Sequence, residues 1–319
     1  MNLPPIGITF GDPAGIGPEI VARAVADPRV RTACQPVVCG DRAVFAAAAR
    51  QLGLTERIAA LGEVTFVDSG VIGEGELPVP GEVSALGGRA AYVALQNCTE
   101  LALAGRVRAM ATAPISKEAL QAAGVPFIGH TEILAELTGS ADPLTLFVVR
   151  DLRVFFLSRH VSLRAACELV TKENLAGFTR RAYRELARLL GDPAPKVAIA
   201  GLNPHCGENG LFGDEELTAI APAVRELQAE GLAVFGPYPA DSIFYRALQG
   251  EFAAVISLYH DQGHIATKMV DFERTISLTL GLPFVRTSVD HGTAFDIAGK
   301  GIASPVSMIE AILTAAKFA

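Results

Sequence analysis

Short runs rich in β-branched and apolar residues alternate along the chain with longer segments whose apolar residues recur every third or fourth position. That alternation predicts parallel strands joined by crossover helices, an α/β fold. Ile6–Phe10, Pro36–Cys39, Val64–Asp68 and Ala109–Ala113 read as strands, with helices at Pro18–Ala26, Arg42–Leu52, Ala85–Ala104 and Lys117–Ala123. Leu144–Arg150 and Arg153–Ser158 are separated only by Asp151 and Leu152, too little for a crossover helix, so they predict an antiparallel hairpin within a mixed sheet. A helix over Lys172–Leu190 is stopped by Gly191-Asp192-Pro193. The later strands are Lys196–Gly201, Ala233–Gly236, Ala253–Leu258 and Pro283–Thr287, with helices at Glu215–Glu230 and Met308–Lys317. No internal repeat or Ser-rich linker interrupts the pattern.

The length of 319 residues suits two lobes or one large α/β unit with an ample core. An apolar content of 50% and only five cysteines exclude a disordered chain and a disulfide-stapled miniprotein. A net charge of −7 without a basic stripe excludes nucleic acid as a partner. An anionic substrate then needs a local basic cluster, for which Lys268, Arg274 and Arg286 are the candidates. The N-terminal stretch lacks a basic n-region and a long apolar h-region, and no run of 18 apolar residues occurs, so the expectation is a cytoplasmic protein without a membrane partner. Cys34, Cys39, Cys98, Cys167 and Cys206 form no CxxC pair and read as reduced thiols, Cys206 standing out because it adjoins His205.

The histidines carry the chemical signal. His160, His205 and His260 each follow a predicted strand, where the carboxyl ends of an open α/β sheet line the ligand crevice. Any one of them alone reads as a loop residue bonding backbone. Three neutral imidazoles converging with an open position make a divalent-metal site, zinc first among the candidates, with Asp261 to orient or supplement them. Gly11–Glu19 is no Walker loop, since no Gly-Lys-Ser/Thr follows, and Ile20 stands where a dinucleotide fingerprint needs glycine. By itself it is a tight strand-to-helix turn with Pro18 at the helix start. The small residues of Ser288–Pro305 allow close backbone approach to a ligand, and Asp296 can accept from ribose hydroxyls.

Taken together, Gly-Asp-Pro-Ala-Gly-Ile-Gly-Pro-Glu, Ala-Pro-Ile-Ser-Lys, Gly-His-Thr-Glu, Leu-Asn-Pro-His-Cys-Gly-Glu, Tyr-His-Asp-Gln-Gly and Arg-Thr-Ser-Val-Asp-His-Gly-Thr-Ala resemble the 4-hydroxythreonine-4-phosphate dehydrogenase family, in order and over essentially the whole chain. The first and last motifs also resemble segments of isocitrate and isopropylmalate dehydrogenases. The resemblance implies a two-lobed α/β/α fold of that type, a homodimer with shared active sites, NAD as cofactor with NADP as the alternative, and a divalent metal held by residues of both chains. Zn comes first, then Mg, Mn or Co. It places the metal on His160, His205 and His260, the substrate on His130, Thr131, Lys268, Ser277 and Arg286, and the cofactor on His291, Ala294 and Asp296. The shared terminal motifs imply a discontinuous cofactor-side lobe, 1–125 with 275–319, and a metal, substrate and dimerisation lobe over 126–274.

Two departures bear on the substrate. Ser277 stands where the 4-hydroxythreonine-4-phosphate dehydrogenases of vitamin B6 synthesis carry Asn, and His264-Ile-Ala-Thr-Lys268 replaces their usual Leu-Pro-Val-Leu-Lys. The Gly-His-Ile form resembles a branch that oxidises 4-phospho-D-threonate or 4-phospho-D-erythronate. The reaction implied is oxidation at C3 followed by decarboxylation of the 3-keto acid. Asp261, Asp241 and Lys268 are the candidate general bases, Asp241 equally a cap for a helix at Asp241–Leu248. A metal-dependent hydrolase is the rival reading of the imidazoles, a cis-dihydrodiol dicarboxylate dehydrogenase the rival within the family, and a non-catalytic sugar-phosphate binder the third.

Overall fold

The computed structural model describes residues 3–62, 64–73 and 75–319; of the lobe expected over 1–125, residues 1, 2, 63 and 74 lie outside them. The strands are β1 (Pro5–Thr9), β2 (Gln35–Gly40), β3 (Thr65–Asp68), β4 (Ala109–Thr112), β5 (Leu144–Val149), β6 (Leu152–Phe156), β7 (Val197–Ala200), β8 (Val234–Tyr238), β9 (Ala254–Ser257), β10 (Ile276–Leu280) and β11 (Val285–Val289). The chain divides into two compact units, one of residues up to Pro143 together with Ile276–Ala319, the other of Leu144–Thr275.

In the first unit the strands run in the order β3-β2-β1-β4-β11-β10, parallel except for β10, which pairs antiparallel with β11. All four residues of β4 are buried, as a parallel strand covered on both faces requires. Residues 126–143, expected with the other lobe, pack here. Ile133 and Leu134 of the helix His130–Thr138 enter one core cluster with Leu95 and Cys98 of the helix Ala85–Leu103 and Met110 of β4.

The second unit orders its strands β5-β6-β9-β7-β8. β5 and β6 form the antiparallel hairpin that the two-residue gap predicts, and β6, β9, β7 and β8 run parallel. Its core joins Phe147, Val154 and Phe156 to Val255 and to Ile243 and Phe244 of the helix Ala240–Leu248. The helix Lys172–Leu190 starts at Thr171, whose side chain accepts from the Asn174 amide, and stops at Gly191 in the left-handed conformation.

Several expectations shift in detail. The segment 215–230 is not one continuous α-helix: a π-helical turn, Glu216–Ile220, precedes an α-helix over Ala221–Ala229. Asp241 does not cap its helix, which Pro239 precedes; it lies in the first turn, exposed. The five cysteines are free thiols. Among the described residues no helix is long and apolar enough to cross a membrane.

Two helices of the first unit approach each other closely. A Cβ added to Gly88 would lie 2.0 Å from the Ala119 carbonyl oxygen, so the helix Ala85–Leu103 meets the start of Lys117–Ala122 backbone to backbone. Gly88→Ala is expected to lower the unfolding free energy by about 1–3 kcal/mol, the cost of forcing packed backbone apart. Urea denaturation of the variant and the parent measures it.

Candidate active site

In the second unit the predicted strand ends deliver their imidazoles. His160 follows β6, His205 follows β7, and His260 opens the helix His260–Val270 directly after β9. The rings of His160 and His260 have centroids 6.1 Å apart, about an ångström wider than the roughly 5 Å of two imidazoles on one tetrahedral ion with metal–nitrogen bonds of about 2.1 Å. His260 Nδ1 lies 2.6 Å from Asp261 Oδ1, which leaves Nε2 as the free coordinating atom. This is the arrangement of a metal-binding imidazole with its supporting carboxylate. Asp261, 73% exposed, therefore orients His260.

The helix bearing His260 sits close on β6 because Gly263 has no side chain: an added Cβ would lie 2.5 Å from the Phe156 ring. His264, one turn along, stacks on Phe156 at 4.5 Å, meets Phe147 edge-on at 4.3 Å and lies 4.1 Å from the His260 ring. Burial, reinforced by the charges of His260 and Lys268, pushes the His264 imidazole down to about 4, so it is neutral at physiological pH and backs His260 as an aromatic wall. Nothing in the sequence beyond the unusual Gly-His-Ile signalled this role.

His205 is held differently. It occupies a turn, Pro204–Gly210, in which His205, Cys206, Gly207, Glu208 and Asn209 all take left-handed backbone angles, with φ from 43° to 74°. Each non-glycine residue there costs about 1–2 kcal/mol, so the surroundings must enforce the turn. Glu216 fixes the peptides that lead into it: buried to 2% exposure, its Oε1 accepts from the Leu202 and Asn203 amides, both at 2.7 Å, and its Oε2 from Asn203 Nδ2 at 2.9 Å. The result is an imidazole 66% exposed at the tip of a braced turn. Burial, then the charges of Glu216 and Asp241, push the Cys206 thiol up to about 11, so the free side chain is a thiol at neutral pH. Among the described residues no three His, Cys, Asp or Glu side chains lie close enough together to hold an ion. One chain thus presents a near pair of imidazoles and a third on a separate projection.

The first unit contains a buried polar cluster at β4, β10 and β11. Arg286, 5% exposed, donates to Thr112 Oγ1 at 2.6 and 3.0 Å and to Thr279 Oγ1 at 3.0 Å. None of the described carboxylates forms an ion pair with it, and burial pushes its guanidinium down to about 9, still protonated at neutral pH. His130 begins a helix after Gly129; its Nε2 is enclosed without a hydrogen-bond partner, and burial and the Arg286 charge hold the ring well below the usual imidazole range. Thr131 follows in the same first turn, which no side chain caps. Ser277 lies two residues before Thr279 on β10, hence on the same face. Of the basic residues singled out, Arg274 is neutralised on the surface by Asp271 at 3.0 Å, while Lys268 lies 5.3 Å from the Phe272 ring in the second unit.

The two terminal motifs meet within the first unit. The Ile16 amide donates to the Thr293 carbonyl at 3.0 Å, the Gly299 amide to Glu19 Oε1 at 2.5 Å, and Gln51 Nε2 bonds the Gly299 carbonyl. Beside this clasp lies a cleft of about 190 Å³ lined by Pro13, Gly15, Ala47, Leu77, Pro78 and Gly299. His291 and Asp296 are exposed on the loop, and Ala294 takes a left-handed φ of 43°.

Comparison with known proteins supplies the lineage. Residues 32–315 match the family described as pyridoxal phosphate biosynthetic protein PdxA. A protein of Symbiobacterium thermophilum named "Putative D-threonate 4-phosphate dehydrogenase" is 55% identical over 99% of this chain and 97% of its own length. The solved 4-hydroxythreonine-4-phosphate dehydrogenase of Klebsiella pneumoniae is 39% identical, covers 99% of each chain and superposes with a TM-score of 0.87. The terephthalate 1,2-cis-dihydrodiol dehydrogenase of Burkholderia xenovorans is 31% identical over 98% of each chain, with a TM-score of 0.67. The chain therefore belongs to the PdxA family and is a dehydrogenase of it.

Proposed function

We propose that this chain oxidises C3 of a four-carbon hydroxy acid carrying a 4-phosphate, with NAD as hydride acceptor and loss of the carboxylate as CO2. 4-Phospho-D-threonate or 4-phospho-D-erythronate is the preferred substrate over 4-hydroxy-L-threonine 4-phosphate. The observation that carries this reading is Arg286, a buried guanidinium whose partners are hydroxyls alone, a receptor ready for an anionic group that the chain does not itself supply. The 55% identity to a relative named for D-threonate 4-phosphate, against 39% to one named for 4-hydroxythreonine 4-phosphate, supports the choice of substrate.

In this reading His130, Thr131, Lys268 and Arg286 anchor the anionic ends of the substrate, and Ser277 meets the part that distinguishes the acids. His291, Ala294 and Asp296, on the loop clasped to Gly11–Glu19, hold NAD, Asp296 accepting from ribose. His160, His205 and His260 hold a divalent ion, zinc first; the chemistry of these donors suits it, with a carboxylate-oriented imidazole, a second ring 6.1 Å away and a third on a left-handed turn, and two copies together complete a set that one chain does not bring together. Such an ion supplies Lewis-acid polarisation of the C3 hydroxyl and of the carbonyl that replaces it. The chain's own work is to fix C3 against the nicotinamide, to exclude water, and to take the hydroxyl proton. Asp261 is committed to His260, which leaves Lys268 and Asp241 as candidates for that proton.

The protein is proposed to act as a homodimer. Exposed Leu211, Phe212 and Leu217 surround the turn that carries His205, and Ile265, Met269 and Phe272, at 62–80% exposure, follow His260 along and beyond its helix. Apolar surface of this kind beside an incomplete ligand set is what a second copy would cover.

Absorbance growth at 340 nm with NAD and added divalent metal, across the three phosphorylated acids, tests the reading. His205→Ala is expected to lose metal-dependent turnover by at least about 100-fold; a rate equal to the parent after chelation would remove the metal from the account. Ser277→Asn is expected to raise the kcat/KM ratio for 4-hydroxythreonine 4-phosphate over 4-phospho-D-threonate, and an unmoved ratio would deny Ser277 that role. Arg286→Met removes an unpaired buried cation, so the unliganded protein is expected to melt no lower than the parent while losing the stabilisation that inorganic phosphate confers. Differential scanning calorimetry with and without phosphate reads both effects.

A further inference from the structure

The three imidazole-bearing strand ends are tied to one another at a single peptide, and two side chains make the tie. Ser158, just beyond β6, donates from Oγ to the Leu258 carbonyl at 2.9 Å. Gln262, in the first turn of the helix His260–Val270, accepts from the Leu258 amide at 2.8 Å and donates to the Gly201 carbonyl at 2.8 Å. Leu258 thus has both its amide and its carbonyl occupied by side chains, one from the β6 end and one that reaches on to the β7 end. His160 lies two residues beyond Ser158, His260 two beyond Leu258, and His205 four beyond Gly201.

Backbone pairing carries one residue past two of these strands, from the Gly201 amide to the Tyr238 carbonyl at 2.7 Å and from the Leu157 amide to the Ser257 carbonyl at 2.8 Å, and side chains take over beyond it. Here Gly201 also opens the segment that Glu216 braces, so a displacement of Gly201 is carried directly into the left-handed turn. We propose that Gln262 and Ser158 are positioning residues that fix where each strand end presents its imidazole, and hence the affinity and geometry of the ion to which these histidines, from one chain or from two copies, contribute. The inference rests on the metal reading above and extends it to two side chains that touch neither ion nor substrate. Gln262 acts twice, because one amide group serves the His260 end as acceptor and the His205 end as donor. A hydroxyl or carboxylate there supplies only part of that set.

The test titrates chelator-treated full-length protein with Co2+ and follows its visible ligand-field bands, alongside thermal melting of the metal-free form. Gln262→Met keeps the length of the side chain but bonds neither peptide. It is expected to weaken Co2+ binding roughly 10–100-fold, the usual loss when a ligand's support is removed, and to shift the bands, a change that lost stability alone does not produce. Ser158→Ala is expected to weaken binding less and to shift the bands in the same sense. Parent-like affinity and bands in both variants overturn the proposal. If His205→Ala, His160→Ala and His260→Ala lose the bands while Gln262→Met keeps them at full affinity, the ion site stands and the tie fails. A parent protein that gives no bands overturns the metal reading and the proposal with it. Should Gln262→Met fail to fold, Ser158→Ala carries the test.

Discussion

Where a strand leaves its sheet, its last peptides need partners from outside the ladder, and the way they are satisfied constrains the loops that follow. In the second unit the ends of β6, β7 and β9 are joined through the Leu258 peptide by Ser158 and Gln262. Around that junction the other devices have a common purpose. Gly263 lets the His260 helix settle on β6, His264, itself stacked on Phe156, backs the His260 ring, and Glu216 fixes the peptides that lead into a turn the backbone would otherwise avoid. Strain at His205 and a tie at Leu258 are two sides of one arrangement. Conformational freedom is removed where imidazoles are presented, and the cost is offset by buried hydrogen bonds.

The first unit handles charge rather than strain. A chain of net charge −7 that takes an anion must place positive charge locally, and Arg286 does this without a carboxylate to quench it. Threonine hydroxyls hold the guanidinium in place while leaving its charge intact, and the neutral His130 beside it adds no competing cation. A carboxylate partner would stabilise Arg286 but quench the charge on which its proposed role as an anion receptor depends. The surface Arg274, neutralised by Asp271, shows the alternative fate of a cation in this protein.

Much of this was legible in the sequence for a specific reason: each imidazole follows an apolar run, and apolar runs between helical segments mark strand ends. The hairpin of β5 and β6 was legible from a gap of two residues, and the close relation of Gly11–Glu19 to the His291–Gly301 loop from motifs that travel together. β10 was not, because Ile276–Leu280 lies so close before Pro283 that its run reads as part of the next segment. Six-residue helices such as Pro28–Ala33 and Leu163–Glu168 are too short to show a period. The left-handed turn at His205 runs against the preferences of Cys206 and Glu208, so no local rule announces it. Ties such as Gln262 to Gly201 join residues 61 apart and exist only once the strands are laid side by side. Asp241 shows the converse, where position at the start of a helix offered a cap that register does not give.

The central claim is that His160, His205 and His260, delivered by three parallel strand ends, hold one divalent ion. Anomalous diffraction at the zinc edge from crystals of the zinc-loaded protein tests it most directly. The account predicts one peak per chain with all three imidazole nitrogens at about 2.0–2.1 Å, the third ring supplied by the same chain or by a second copy. A zinc peak bonded to other residues, or none at these histidines, would contradict it.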